Sequence, residues 1–111
     1  MASESLASTL KALSDPTRLS IFDMLMEGVH CNCEIAQRLG LSLSLVSHHL
    51  RVLGQAGLVR GERAPDDGRW IYYSINQDAL EELTSALEHT LDARRIRPRQ
   101  PVCGPKRCTN C

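Results

Sequence analysis

The sequence predicts a mainly α-helical domain with one small β-hairpin, arranged as a winged helix-turn-helix, and three observations carry that reading. Short segments of helical period follow one another between Pro, Gly and Ser punctuation up to about residue 56. Two β-rich runs then flank Ala64-Pro65-Asp66-Asp67-Gly68, whose composition is that of a turn. Helical period returns in the leucine seam Leu80, Leu83, Leu87 and Leu91.

Taken in order, residues 4–13 place Leu6, Leu10 and Leu13 on one face of a short first helix. Asp15 caps a second helix with Pro16 at its first position, and its expected apolar face is Leu19, Ile21, Phe22, Leu25 and Met26, ending at Gly28. A third helix runs from about Cys33 to Leu39 and stops at Gly40. Ser42 caps a fourth, roughly Leu43 to Ala56, with Val46, Leu50 and Leu53 inward, Leu45 and His49 flanking, and Gly57 at its end. The third and fourth helices form the helix-turn-helix, the fourth being the recognition helix. Leu58 to Arg63 and Arg69 to Ile75 are the wing strands, and the last helix runs from Asn76 or Asp78 to about Arg94. The expected division is a DNA-binding and dimerisation domain over 1–95 and a basic, Cys-rich tail over 96–111.

The 111 residues carry no net formal charge, but the balance is uneven. Residues 1–93 hold seven Lys and Arg against thirteen Asp and Glu, whereas residues 94–111 hold six basic residues and no acidic one. DNA binding by the body therefore rests on a local cluster rather than on a general field. Ser44, Ser47, His48 and Arg51 lie on the fourth helix away from its apolar stripe, where they reach base edges and phosphates. On the wing, Arg60, Arg63 and Arg69 are candidate phosphate contacts, with a merely solvated hairpin the alternative. Trp70, Tyr72 and Tyr73 are read as wing packing, and His49 as a packed, hydrogen-bonded residue.

Five cysteines in so short a chain, an odd number, argue for metal binding or thiol chemistry rather than a disulfide framework. Cys31 and Cys33 stand one residue apart at the start of the third helix. On an α-helix such positions point about 200° apart, whereas in extended chain they share a face. Binding one soft ion with both sulfurs thus couples the ion to the geometry of the helix start. The N-terminus of that helix is expected to favour the thiolate, and His30 is expected on the surface. Neither a long apolar run nor a leader-like start is visible, which gives a cytoplasmic protein as the expectation. No acid and base pair, activated nucleophile or phosphate-cradling glycine loop is present, so no enzyme is expected.

The order of elements, with Leu13-Ser14-Asp15-Pro16-Thr17-Arg18, Cys31-Asn32-Cys33-Glu34-Ile35-Ala36, Val46-Ser47-His48-His49-Leu50, Ala56-Gly57-Leu58-Val59 and Gly68-Arg69-Trp70-Ile71-Tyr72-Tyr73, resembles the ArsR/SmtB family of metal-responsive repressors over residues 6–93. The resemblance implies a homodimer, paired through its first and last helices, that leaves operator DNA when arsenite or antimonite binds thiolates. Cadmium or lead, Cd(II) or Pb(II), is the alternative effector that it implies. Two departures stand out. Ala36 occupies the place where a third cysteine often stands, and His89 is the only histidine of the last helix, which argues against the family's zinc site there. Arsenite favours three thiolates, so the tail's Cys103, Cys108 and Cys111 are candidates to complete the set, or to form a site of their own. Four thiolates across both segments would suit cadmium or lead. Cys108-Thr109-Asn110-Cys111 lies outside any strand-to-helix turn, so a redox-sensing repressor is a better alternative than a thiol oxidoreductase. A metal carrier without DNA binding is the remaining alternative.

Overall fold

A computed structural model describes residues 2–105. Five helices and three strands follow in the order α1 (Ser3–Leu13), α2 (Pro16–Met26), β1 (His30–Cys31), α3 (Asn32–Leu39), α4 (Leu43–Gln55), β2 (Val59–Arg63), β3 (Ile71–Ile75) and α5 (Gln77–Thr90). A single 3-10 turn, Ala93–Arg95, comes after α5. No described helix is long and apolar enough to cross a membrane.

Local chemistry sets the helix limits. The Asp15 carboxylate accepts the N–H groups of Thr17 and Arg18 at 2.9 and 3.0 Å, with Pro16 in the first helical position where its missing donor costs nothing. Ser42 Oγ accepts from the Leu45 N–H at 3.1 Å, and Asn76 Oδ1 from the Ala79 N–H at 3.4 Å. At their C-termini, α3 and α4 each close through a left-handed glycine, Gly40 at φ 65° and Gly57 at φ 78°. There Leu41 and Leu58 donate back to the carbonyls of Ala36 and Leu53, which satisfies carbonyls that the helix leaves open.

Ile21, Ile35, Val46, Leu50, Leu53 and Leu58 are the largest fully buried side chains, so the core lies where α2, α3, α4 and the base of the wing meet. Two helix faces differ from the expected ones. In α1 the buried residues are Leu6, Thr9 and Ala12, and Leu10 is exposed. In α2 Met24 joins Ile21, Phe22 and Leu25 inside, while Leu19 and Met26 face out. Periodicity overlooks this because α2 packs on α1, α4 and β3 at once, and its inward arc is wider than one stripe. Of the leucine seam on α5, Leu83 is buried, Leu80 and Leu87 pack at the core's margin, and Leu91 lies outside the helix and is exposed.

α5 ends four residues before the expected Arg94. The Arg95 guanidinium takes the carbonyls of His89 and Thr90, and Asp92 caps the turn that follows by accepting the Arg94 N–H. The wing strands pair antiparallel, with Gly61 opposite Tyr73 and Glu62 opposite Tyr72. A third strand, β1, was not expected. It pairs antiparallel with β3, His30 opposite Tyr73 and Cys31 opposite Tyr72, giving the sheet order β1-β3-β2. Two residues are too short a strand to leave an alternating pattern in the sequence.

Candidate functional site

Cys31 is the last residue of β1 and the N-cap of α3. Its Sγ accepts from the Glu34 N–H at 3.4 Å, while the Glu34 carboxylate accepts from the Cys31 N–H at 3.0 Å, so the two residues form a reciprocal capping box with sulfur in the usual place of a hydroxyl. Cys33 is the second residue of α3 and half-buried; both thiols are free. The pair therefore straddles a strand-to-helix junction, one thiol on each side of it.

The thiolate preference expected from the helix N-terminus is reversed at Cys31. Burial pushes its thiol above the usual value, and the Glu34 carboxylate adds to that, outweighing the backbone donors that act the other way. Glu34 is held below the ordinary carboxylate range, chiefly by the Cys31 N–H.

His30 is buried, not on the surface as expected. Its Nδ1 faces the Gly28 carbonyl at 2.8 Å and must donate there, which leaves Nε2 to accept from Arg38 Nη1 at 3.1 Å. Arg38 also approaches Glu27 at 3.6 Å. The last turn of α3 is thereby tied to the chain that enters β1, and the thiol pair lies within that loop of contacts.

Among the described residues no group of three or more His, Cys, Asp or Glu side chains is gathered as a metal site. Cys103 is exposed and disulfide-bonded, and the structure does not bring it to Cys31 and Cys33. Cys108 and Cys111 lie outside the described residues.

The second candidate face is formed by α4 and the wing. Ser44, His48 and Arg51 are exposed and Ser47 is half-buried, at the three- and four-residue spacings that put them on one side of the helix. Ser47 and Arg51 line a groove whose opposite wall is the wing, through Gly61, Arg63, Ile71 and Tyr73. Gln55 lines it too, from the last turn of the helix, where no local pattern in the sequence singles it out. Leu43 and Leu45 are exposed at the first turn of α4, although Leu45 was expected beside the buried stripe. Apolar groups at that end of a recognition helix suit thymine methyls, and their signal in the sequence is position alone.

The wing cations are not equivalent. Arg69 is engaged by both carboxylate oxygens of Asp67, at 3.0 and 2.6 Å, which neutralises it. Arg60 donates to Asn76 Oδ1 at 3.2 Å and Arg63 to the Gly68 carbonyl, and neither has a carboxylate partner among the described residues. Trp70 and Tyr72 are 42% and 46% exposed, so only Tyr73 of the three wing aromatics packs on the core. His49 is buried and accepts from Arg18 Nη1 at 3.3 Å through Nδ1, as a packed, hydrogen-bonded residue should.

A helix-turn-helix whose second helix leads into a β-wing, with hydrogen-bonding and basic side chains facing outward from both, defines a winged-helix DNA-binding protein. Within that class the chain belongs to the ArsR family of bacterial regulatory proteins, whose pattern it matches over residues 15–60. It is 36% identical to an uncharacterized HTH-type transcriptional regulator of Methanocaldococcus jannaschii, over 77% of this chain and 93% of that one. It is 32% identical to the arsenical resistance operon repressor of Staphylococcus xylosus, over 79% of this chain and 82% of the repressor. Among solved structures it is similar to a homodimeric winged helix-turn-helix DNA-binding domain of Mycobacterium bovis, a possible ArsR-family transcriptional regulator. There the TM-score is 0.63 at 26% identity, covering 88% of this chain and 89% of that one. Family and relatives are transcriptional regulators, and the chain is a regulator rather than an enzyme.

Proposed function

We propose that the protein is a cytoplasmic, homodimeric repressor that holds operator DNA and lets go when arsenite or antimonite binds the thiolates of Cys31 and Cys33. One observation carries the proposal: the Cys31 sulfur is both a candidate ligand and the N-cap of α3. Cys31, drawn with Cys33 onto one centre, gives up the Glu34 N–H and disturbs the first turn of α3. That helix packs on α4, and β1 is hydrogen-bonded to wing strand β3, so both DNA-facing elements share a border with the thiol site. Release goes only as far as the ion's preference for the disturbed state allows.

The similarity to an arsenical resistance operon repressor supports the choice of ion. In this reading the third thiolate comes from the reduced tail, Cys103, Cys108 or Cys111, of the same or the partner subunit. Ser44, Ser47, His48 and Arg51 meet bases and phosphates, and Arg60 and Arg63 meet phosphates along the wing, where Arg69 is held by Asp67 and contributes only once that pair opens. Leu10 of α1 and Leu91 beyond α5 are exposed leucines at the first and last helices, where the partner subunit is placed.

The test is fluorescence anisotropy on DNA from upstream of the protein's own gene, titrated with arsenite in a phosphine reductant. Wild-type protein should release the DNA, and the Cys31→Ser, Cys33→Ser protein should stay bound at the same arsenite concentration. Release by that double variant would sink the proposal. Sulfur-to-ion stoichiometry from thiolate absorption separates arsenite, with three sulfurs, from cadmium with four.

A further inference from the structure

Basic charge is segregated at the end of this chain. The body up to residue 93 carries seven basic residues against thirteen acidic, and a homodimer doubles that deficit. On the face formed by α4 and the wing, only Arg51, Arg60 and Arg63 are cations without a carboxylate partner among the described residues. So acidic a body repels a polyanion at long range, whatever its local contacts.

The segment after α5 has the opposite character. Arg94, Arg95, Arg97 and Arg99 are all exposed, and no acidic residue occurs from 94 to the end. Arg95 fastens the start of this segment to the last carbonyls of α5, at 2.8 Å from Thr90 and 3.3 Å from His89, so the arm leaves from a defined point. Arg94 pairs with Asp92 in its own turn, at 2.9 Å, and that pair is open to solvent. Arg97 and Arg99 meet no carboxylate among the described residues; Arg97 donates only to the Arg94 carbonyl, at 3.4 Å. The arm is therefore not folded back onto the acidic body. Ile96 is extended, and Pro98 and Pro101 keep the chain from coiling. Arg97 and Arg99 then stand about 6.6 Å apart along an extended chain, close to the spacing of neighbouring phosphates on one DNA strand.

We infer that residues 94–99 form a basic arm that binds DNA backbone phosphates, independently of sequence, beside the contacts of α4 and the wing. The inference rests on the DNA-binding half of the proposed function and not on the identity of the ion. Each phosphate contact of the arm releases about 0.9 counterion on duplex DNA. One contact from each of the two arms would thus raise affinity about 60-fold at 0.1 M salt and steepen the salt dependence by about 1.8 in log–log slope, and engagement of both arginines in each arm would double that slope.

The experiment compares full-length wild type with the Arg97→Gln, Arg99→Gln protein, which leaves Arg94 and Arg95 to hold the turn. Binding to the promoter duplex and to a random duplex of equal length is measured from 0.05 to 0.3 M KCl, with circular dichroism to check folding. The expected result is a shallower slope and a loss of tens-fold at 0.1 M salt, equal for both duplexes. An unchanged slope overturns the arm alone. So does a loss confined to the promoter duplex, since phosphate contacts do not read sequence. Wild-type protein that binds no duplex at all overturns the regulator reading, and the arm with it.

Discussion

Gly61 sits in β2 directly opposite Tyr73 of β3, and the ring lies across it. A Cβ built on Gly61 falls 2.8 Å from Tyr73 Cε1, 3.2 Å from Cδ1 and 3.3 Å from Ile71 Cγ2. Two effects of opposite sign follow from Gly61→Ala. Gly61 does not have a left-handed φ, so alanine there should gain about 0.4–1 kcal/mol by restricting the unfolded chain. Against that, Tyr73 packs on the core and the new methyl must displace it, an overpacking cost of about 1–3 kcal/mol. The clash wins, and a net loss of roughly 0.5–2 kcal/mol is expected, which lowers the melting midpoint by about 2–15 °C in a domain of this size. Urea unfolding at one fixed protein concentration measures it, which holds any contribution from self-association constant. Repeating Gly61→Ala in a Tyr73→Leu background isolates the ring. With the ring gone, alanine should be neutral or stabilising. Equal cost in both backgrounds, or no cost in the wild type, would refute the steric account. The groove between α4 and the wing includes both residues, so the single variant should also bind promoter DNA more weakly.

Three further outcomes are expected. Cys31→Ser keeps an oxygen cap for the Glu34 N–H and should hold stability within about 0.5 kcal/mol, whereas Cys31→Ala loses the cap and about 1 kcal/mol, a difference that thermal unfolding resolves. In timed alkylation with iodoacetamide at pH 7.5, half-buried Cys33 should react well before Cys31, whose thiol is both buried and pushed upward by that burial; faster labelling of Cys31 would contradict its place in the cap. The Asp15 carboxyl is lowered from its ordinary 3.8, first by the Arg18 N–H and also by the Thr17 N–H. Its contribution is present above that ordinary value and disappears as pH falls through the lowered one. Asp15→Asn, which keeps a cap without the charge, should therefore flatten the acid limb of stability below about pH 4.

Much of the helical framework, and the outward face of α4, was legible in the sequence. Caps at Asp15 and Ser42 and glycines at 40 and 57 are short-range signals, and they placed α2, the helix-turn-helix and the recognition face before any packing was known. The thiol site was legible as a pair but not as a geometry. That Cys31 ends a strand, and spends its sulfur on capping α3, depends on β1 finding β3 some forty residues away. The same pairing accompanies the burial of His30, which its neighbours in sequence did not foretell. Among the wing arginines, residue type suggested three equal cations, and only the fold tells Arg69, held by Asp67, from Arg60 and Arg63.

By itself, then, the sequence determined the winged-helix class, the order and caps of the helices, the outward face of α4 and the placing of two thiols at the start of α3. These rest on periodicity and on contacts within a few residues of one another. The tertiary structure alone decided which faces of α1 and α2 are inside, that the wing gains a third strand, and that burial at Cys31 outweighs the helix N-terminus. Each of those is a competition between distant groups for the same space or the same hydrogen bond, and no local pattern records its outcome.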